Sequence, residues 1–175
     1  MSAPGSILTS SEYVLKKKIL SLSEHYDLED RTGARLGEAD GKIIQLPAKF
    51  VVKDALGQEV MRLEGKVLAL RSQFTFYDNL DVQIGIIRKK IVKFIGDEYW
   101  VEKDGAEIMR IYGNFVEHDY RMEIGGQLVA QVHKRWFTIR DWLEVSVLGN
   151  VDHRIVLGAV IAIEHQEVTE RRNSG

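Results

Sequence analysis

Residues 49–66 read KFVVKDALGQEVMRLEGK. Phe50, Val52, Val60, Arg62 and their neighbours show a period near two, the spacing of a β-strand. The polar, glycine-bearing centre around Gly57 breaks the pattern where a chain reversal belongs. The same plan recurs in HYDLEDRTGARLGEADGK, QFTFYDNLDVQIGIIRKK, EYWVEKDGAEIMRIYGN and DYRMEIGGQLVAQVHKR. Turn-type residues fall at Gly33, Gly57, Asp81, Gly105 and Gly126, with spacings of 24, 24, 24 and 21. Asp104-Gly105 and Gly125-Gly126 supply the positive φ that tight hairpins need, and Asn79 beside Asp81 does so less strongly. A leucine-rich solenoid is a poor fit, because no leucine ladder is present and each block has a central turn. Five successive β-hairpins are expected.

Tyr13–Leu20 (YVLKKKIL) precedes the hairpins and Asp141–Leu148 (DWLEVSVL) follows them. About 12 antiparallel strands in one small domain would leave costly open edges unless the sheet closes. The expected fold is therefore mainly β, a closed antiparallel barrel. Such a barrel encloses more space than its own inward side chains fill. The segment DHRIVLGAVIAIEHQ, Asp152 to Gln166, is suited to the lumen: Asp152 is an N-cap residue, and Ile155–Ile163 is apolar on every face of a helix. A thirteenth buried strand is the alternative. Gly158, Ala159 and Ala162 favour the helix, since small residues pack in a narrow tube and Ala is a poor strand former. Ile155, Leu157, Ile161 and Ile163 are expected to fill the rest of the lumen, with Gly158 and Ala159 at its tightest part. The expected domain spans 13–167, with tails at 1–12 and 168–175.

On YVLKKKIL, turn-plus-apolar blocks such as KDGAEIMRI, and DHRIVLGAVIAIEHQ, the chain resembles the LURP-one-related family, grouped with the Tubby C-terminal-like and phospholipid-scramblase-like folds. The resemblance runs from about Tyr13 to Gln166. It implies a β-barrel around a central helix, with relatives that bind phosphoinositides or act on membrane lipids, and it implies no catalytic residue. The palmitoylated cysteine cluster and membrane-spanning tail of scramblases are missing here, which speaks against lipid movement.

Composition narrows the chemistry. The 175 residues include 24 basic and 26 acidic side chains, a net charge of −2, without the basic excess of a non-specific nucleic-acid binder. No cysteine is present, which removes disulfides, thiolate metal sites and thiol nucleophiles. The longest apolar run is nine residues, against about 20 for a membrane-crossing helix. With no signal-peptide pattern, the expected location is cytoplasmic, with a peripheral membrane position open.

Catalytic and cofactor motifs are absent: there is no G-x-S-x-G, no phosphate-cradling G-x-x-x-x-G-K-[ST], no H-E-x-x-H and no EF-hand loop. Of the five histidines, His153 and His165 bracket the apolar segment and are expected at the two barrel mouths. His118 and Asp119, adjacent on a strand, face opposite sides and form no dyad. Acidic residues near the turns (Asp27, Glu29, Asp30, Asp78, Asp81) read as solvated turn formers. Trp100, Trp136 and Trp142 read as barrel packing. No catalytic residue, metal ligand set or cofactor is expected.

The basic residues do show an order. Eight or nine residues past each turn lie Lys42, Lys66, Lys89 and Lys90, then Asn114, then Lys134 and Arg135. With the hairpin tips at one end, these cations share the opposite rim, where solvated charges contribute little to stability. Lys16–Lys18 and Arg88 are possible additions, and Glu38, Asp40 and Glu64 dilute the charge. The expected function is a non-enzymatic binding or scaffold module whose partner is an anionic phospholipid headgroup. An enzyme with a small pocket at a barrel mouth and a structural protein–protein interaction domain are the alternatives.

Overall fold

The computed structural model describes residues 6–20, 22–42, 47–68, 71–92, 96–136 and 141–175. Each of the five repeat blocks forms one hairpin. In chain order these are β2 (Ser23–Glu29) with β3 (Arg35–Lys42), β4 (Lys49–Asp54) with β5 (Glu59–Leu68), and β6 (Arg71–Asp78) with β7 (Gln83–Val92). They continue as β8 (Gly96–Lys103) with β9 (Ala106–Asn114), and β10 (Asp119–Ile124) with β11 (Gln127–Trp136). The flanking strands are β1 (Glu12–Leu20) and β12 (Asp141–Val147). Every neighbour is sequential and antiparallel, and β1 pairs with β12 through Tyr13↔Val145 and Leu15↔Leu143, which closes the barrel.

Turn chemistry sets one end. Asp30, Asp54 and Asp78, at equal places in three repeats, each use Oδ1 to accept backbone N–H groups two and four residues ahead. The chain then passes through a left-handed residue: Gly33, Gly57 and, in the third hairpin, Asp81 rather than Asn79. Asp104-Gly105 and Gly125-Gly126 make the expected two-residue reversals, all four at positive φ. All five hairpin tips lie at this tip end; the connections between hairpins lie at the opposite, link end.

The last element, α1 (His153–Asn173), begins at the tip end with Asp152 capping Arg154 N–H and runs down the lumen. Ile155 through Glu167 are buried, about 20 Å of helix at 1.5 Å per residue. The apolar run supplies only about 14 Å of that length, so the buried stretch continues into Glu164, His165, Gln166 and Glu167. The helix then extends to Asn173, through residues expected to be a tail. At the other terminus Ile7, within the expected N-terminal tail, is also buried and accepts the Tyr13 hydroxyl at 2.8 Å.

Inward wall positions supply the rest of the core: Tyr26, Leu28, Phe50, Val52, Met61, Leu63, Phe76, Val101 and Ile111 are each 0–1% exposed. Gly158 meets the wall where it is tightest, since a Cβ there would lie 2.8 Å from Met61 Cε and 3.2 Å from the Phe76 ring. Gly158→Leu should therefore overpack the lumen at a cost of about 2 kcal/mol, a fall in melting temperature of about 4–8 °C by calorimetry. Ile161→Asp should prevent folding altogether. An unpaired buried carboxylate costs several kcal/mol of a total near 5–15 kcal/mol, so soluble protein with native circular dichroism would contradict the fold.

Candidate functional site

Strand alternation decides where each rim cation goes. On β7 the inward positions are Gly85, Ile87 and Lys89, so Lys89 points into the barrel and Lys90 out. On β11 the inward side chains are Ala130 and Val132. Lys134 shares their face and is half-buried, whereas Arg135 is exposed and bound to Glu144 at 2.7 Å. Lys42 and Lys66 are exposed on outward positions. The four cations expected to act together at 89, 90, 134 and 135 are thus divided between two faces.

Lys89 corrects the expectation most sharply. It is 6% exposed, with its ammonium 2.8 Å from Asp97, 2.6 Å from Glu170 and 3.2 Å from Glu167. Burial alone would lower its pKa, but the Asp97 and Glu170 hydrogen bonds and the nearby carboxylate charges raise it above the usual lysine value. The ammonium ties the last turns of α1 to the wall, so it is no solvated rim charge and its loss would strand three carboxylates.

Lys89 belongs to a buried polar layer that surrounds the lower half of α1. Glu24 of β2 is 1% exposed; it accepts from His165 Nδ1 at 3.2 Å and from the Tyr26 hydroxyl at 3.2 Å, with Lys17 Nζ 3.3 Å away. Glu164 accepts from His118 Nδ1, 2.7 Å from Oε2, and from the Tyr120 hydroxyl at 3.3 Å. Glu167 accepts from the Tyr99 hydroxyl at 2.8 Å. Burial and the neighbouring carboxylates push the Tyr26, Tyr99 and Tyr120 hydroxyls well above the usual tyrosine pKa, which keeps all three as donors. His165 sits inside the barrel rather than at a mouth, edge-on to Phe50 and Phe74 with centroids 5.3 and 5.7 Å away. His153 does mark the tip-end mouth, its Nδ1 2.6 Å from the Tyr13 hydroxyl. Sequence reasoning missed this layer because its carboxylates lie outside any local motif. A signal was available: Glu164, Glu167 and Glu170 share a helix at i, i+3 and i+6.

His118 lies in the turn before β10 at positive φ rather than on a strand. It reaches inward to Glu164 while Asp119 pairs with His133 at 3.0 Å, so the two form no dyad for a different reason than strand alternation. Trp100 and Trp142 are half-buried on the outer wall, because Tyr99, Val101 and Leu143 take the inward positions beside them. Trp100 donates to Glu102 at 2.6 Å, and Lys16 lies 4.2 Å over the Trp142 ring. The Trp136 side chain lies outside the described residues. A shallow cleft of about 500 Å³ lies between Lys90, Glu98, Trp100, Glu107 and Arg110 on the outside of the wall, with Arg110 bound to Glu98 at 2.7 Å. Among the described residues, two groups of ligand atoms are close enough to hold a cation: Asp97, Glu167 and Glu170, where Lys89 already serves, and His25, Glu38 and Asp40. The second group joins residues 13 and 15 positions apart on paired strands, a spacing that no local motif would show.

A family model described as LURP-one-related matches residues 11–164. The chain belongs to the LURP-one-related family. The matched span covers the whole barrel and α1 as far as the first buried carboxylate, Glu164. The solved structure of a protein from Arabidopsis thaliana shares the fold, with a TM-score of 0.62 and 17% sequence identity over 93% of this chain and 94% of that one. No curated protein matches the sequence significantly.

Glu24 gives the polar layer a measurable signature. Burial alone would raise its pKa, but His165 and Lys17 hold it below the ordinary carboxylate value of 4.5. A depressed folded-state pKa means that ionised Glu24 stabilises the fold above the unfolded pKa, and that this contribution is lost as pH falls through the folded one. Glu24→Gln should cost about 2 kcal/mol at pH 7, or about 4–8 °C in melting temperature. The gap between wild type and variant should close progressively below pH 4.5, as followed by calorimetry across that range.

Proposed function

We propose that this protein is a non-catalytic binding module that docks by the link end of its barrel on a surface of anionic phospholipid headgroups. The observation that carries the reading is a set of exposed cations grouped at that end, while Arg31 and Lys103 are exposed at the tip end. Lys42, Lys66 and Lys90 point outward near the link-end termini of β3, β5 and β7. These are alternate strands, so the three positions lie about 10 Å apart along the rim. Arg171 and Arg172 add two exposed cations where α1 emerges from the mouth, and Arg171 donates to the Val116 carbonyl at 3.0 Å. The two arginines were overlooked in sequence because the helix was expected to end at Gln166.

Apolar groups accompany the cations. Leu20, Leu22 and Val116, each more than half exposed, lie at the same end. The tip end also exposes Leu56 and Leu80, but these sit among the turn carboxylates Asp54, Asp78 and Asp81, which anionic headgroups repel. The net charge of −2 is thus compatible with an attractive face, since the charges near the surface dominate within a Debye length. Spread around a rim, the lysines suit several headgroups in a flat array better than one phosphate in a pocket. A filled lumen supports the same reading, because it leaves the outside of the barrel as the place for a partner.

Each exposed cation near an anionic membrane is worth about 1 kcal/mol. Replacing Lys42, Lys66 and Lys90 together by Ser should lower partitioning onto phosphatidylserine vesicles by about a hundredfold, measured by co-sedimentation. Melting temperature should hardly change, because these three charges are solvated, and added salt should imitate the substitutions. Wild-type protein that stays in the supernatant with such vesicles at low salt would end the lipid reading.

A further inference from the structure

The outer face of the β2–β3 pair carries a constellation that the lipid reading does not use. His25 and Asp27, two apart on β2, share that face. Asp40 and Glu38 lie directly opposite them on β3, in the pairs His25↔Asp40 and Asp27↔Glu38. His25 Nδ1 is 2.6 Å from Asp40 Oδ1, and its Nε2 is 2.8 Å from Asp27 Oδ1. One ligand atom from each of His25, Glu38 and Asp40 falls within 4.8 Å of the others. Asp27 is held in turn by Lys18 at 2.6 Å.

The roles of the two aspartates differ. A histidine that donates one ring N–H to a carboxylate is fixed in orientation and tautomer, and its other nitrogen becomes the better ligand. Asp27, backed by Lys18, is that acceptor at Nε2. Nδ1 then faces Asp40 and Glu38. We propose that His25 Nδ1, Asp40 and Glu38 form a binding site for a divalent transition-metal ion of the zinc type, with Asp27 as the positioning residue behind the ring. A mixed nitrogen and carboxylate set suits such an ion better than it suits calcium or magnesium, which prefer oxygen alone.

The geometry needs only a small adjustment. Ligands about 2.0–2.1 Å from a tetrahedral zinc stand about 3.3 Å apart, so the His25–Asp40 contact must open by less than about 1 Å. The ion takes the place of the Nδ1 proton, which passes to solvent. The Asp40 side chain is 53% exposed, which leaves an entry path and room for water as a fourth ligand. Arg35, itself exposed, binds Glu38 Oε2 at 2.5 Å and is the competitor the ion must share that carboxylate with. The other metal-capable trio, Asp97, Glu167 and Glu170, already holds the Lys89 ammonium and so is a poor rival.

Calorimetric titration of the full chain with ZnCl₂ in a non-coordinating buffer should show one site that His25→Ala abolishes. Asp27→Asn keeps an acceptor but loses its charge, and should weaken zinc binding about tenfold, as changes behind a metal-bound histidine do. Long-range ¹H–¹⁵N correlation spectra should show zinc shifting the His25 Nδ1 resonance while Nε2 stays protonated. Three results would overturn the proposal: no stoichiometric binding by wild type, undiminished binding by His25→Ala, or metal on Nε2. If His25→Ala fails to fold, the Glu38→Gln/Asp40→Asn double variant takes its place, with the same loss of binding expected.

Discussion

A closed ring of twelve strands must be filled, and α1 fills it. Wall side chains alone leave a lumen, and an empty apolar lumen forfeits the dispersion contacts that a packed interior supplies. The helix fits because Gly158 has no side chain where Met61 and Phe76 come closest. The wall fits because its inward positions are apolar wherever the apolar part of α1 passes. Among the described residues each is the other's main apolar partner, and each buries its apolar face against the other.

The same constraint explains the polar layer. The lumen buries about 20 Å of helix, more than the apolar run provides, so four polar side chains are drawn inside. Burying ionised groups is costly unless each has partners, and here the wall supplies them strand by strand. Tyr26, Tyr99 and Tyr120 present hydroxyls, Glu24 and Lys89 present charge, and His118 presents a ring nitrogen. This layer sets the rotation of α1 about its axis, because Glu164, His165 and Glu167 point at three different sectors of the wall. An apolar helix in an apolar tube lacks such a key, and a buried polar group that selects one register is the best-attested use of such groups. Both proposed sites therefore lie on the outside: the rim cations at the link end, and the His25 grid on the wall.

Much of the architecture was legible before any coordinates. Alternation over two residues marked the strands, the recurring Asp and Gly marked the tips, and edge avoidance required closure. These signals are local or follow from counting, so they survive without knowledge of what touches what. The same alternation rule, applied to Lys89 beside Lys90, would also have divided the rim cations, since Lys89 shares parity with Ile87 and Gly85. Lysine pairs in sequence look like one patch only if the strand's two faces are forgotten.

The sequence by itself determined the hairpin order, the closed barrel and the burial of Ile155–Ile163, because each depends on spacing along one stretch of chain. Only the tertiary structure decided that Glu24 meets His165, that His118 meets Glu164, and that Lys89 meets Glu167. Those partners are 141, 46 and 78 residues apart. Their meeting depends on barrel register and on the rotation and depth of α1, quantities that the burial of the whole helix sets at once and that no stretch of sequence carries alone.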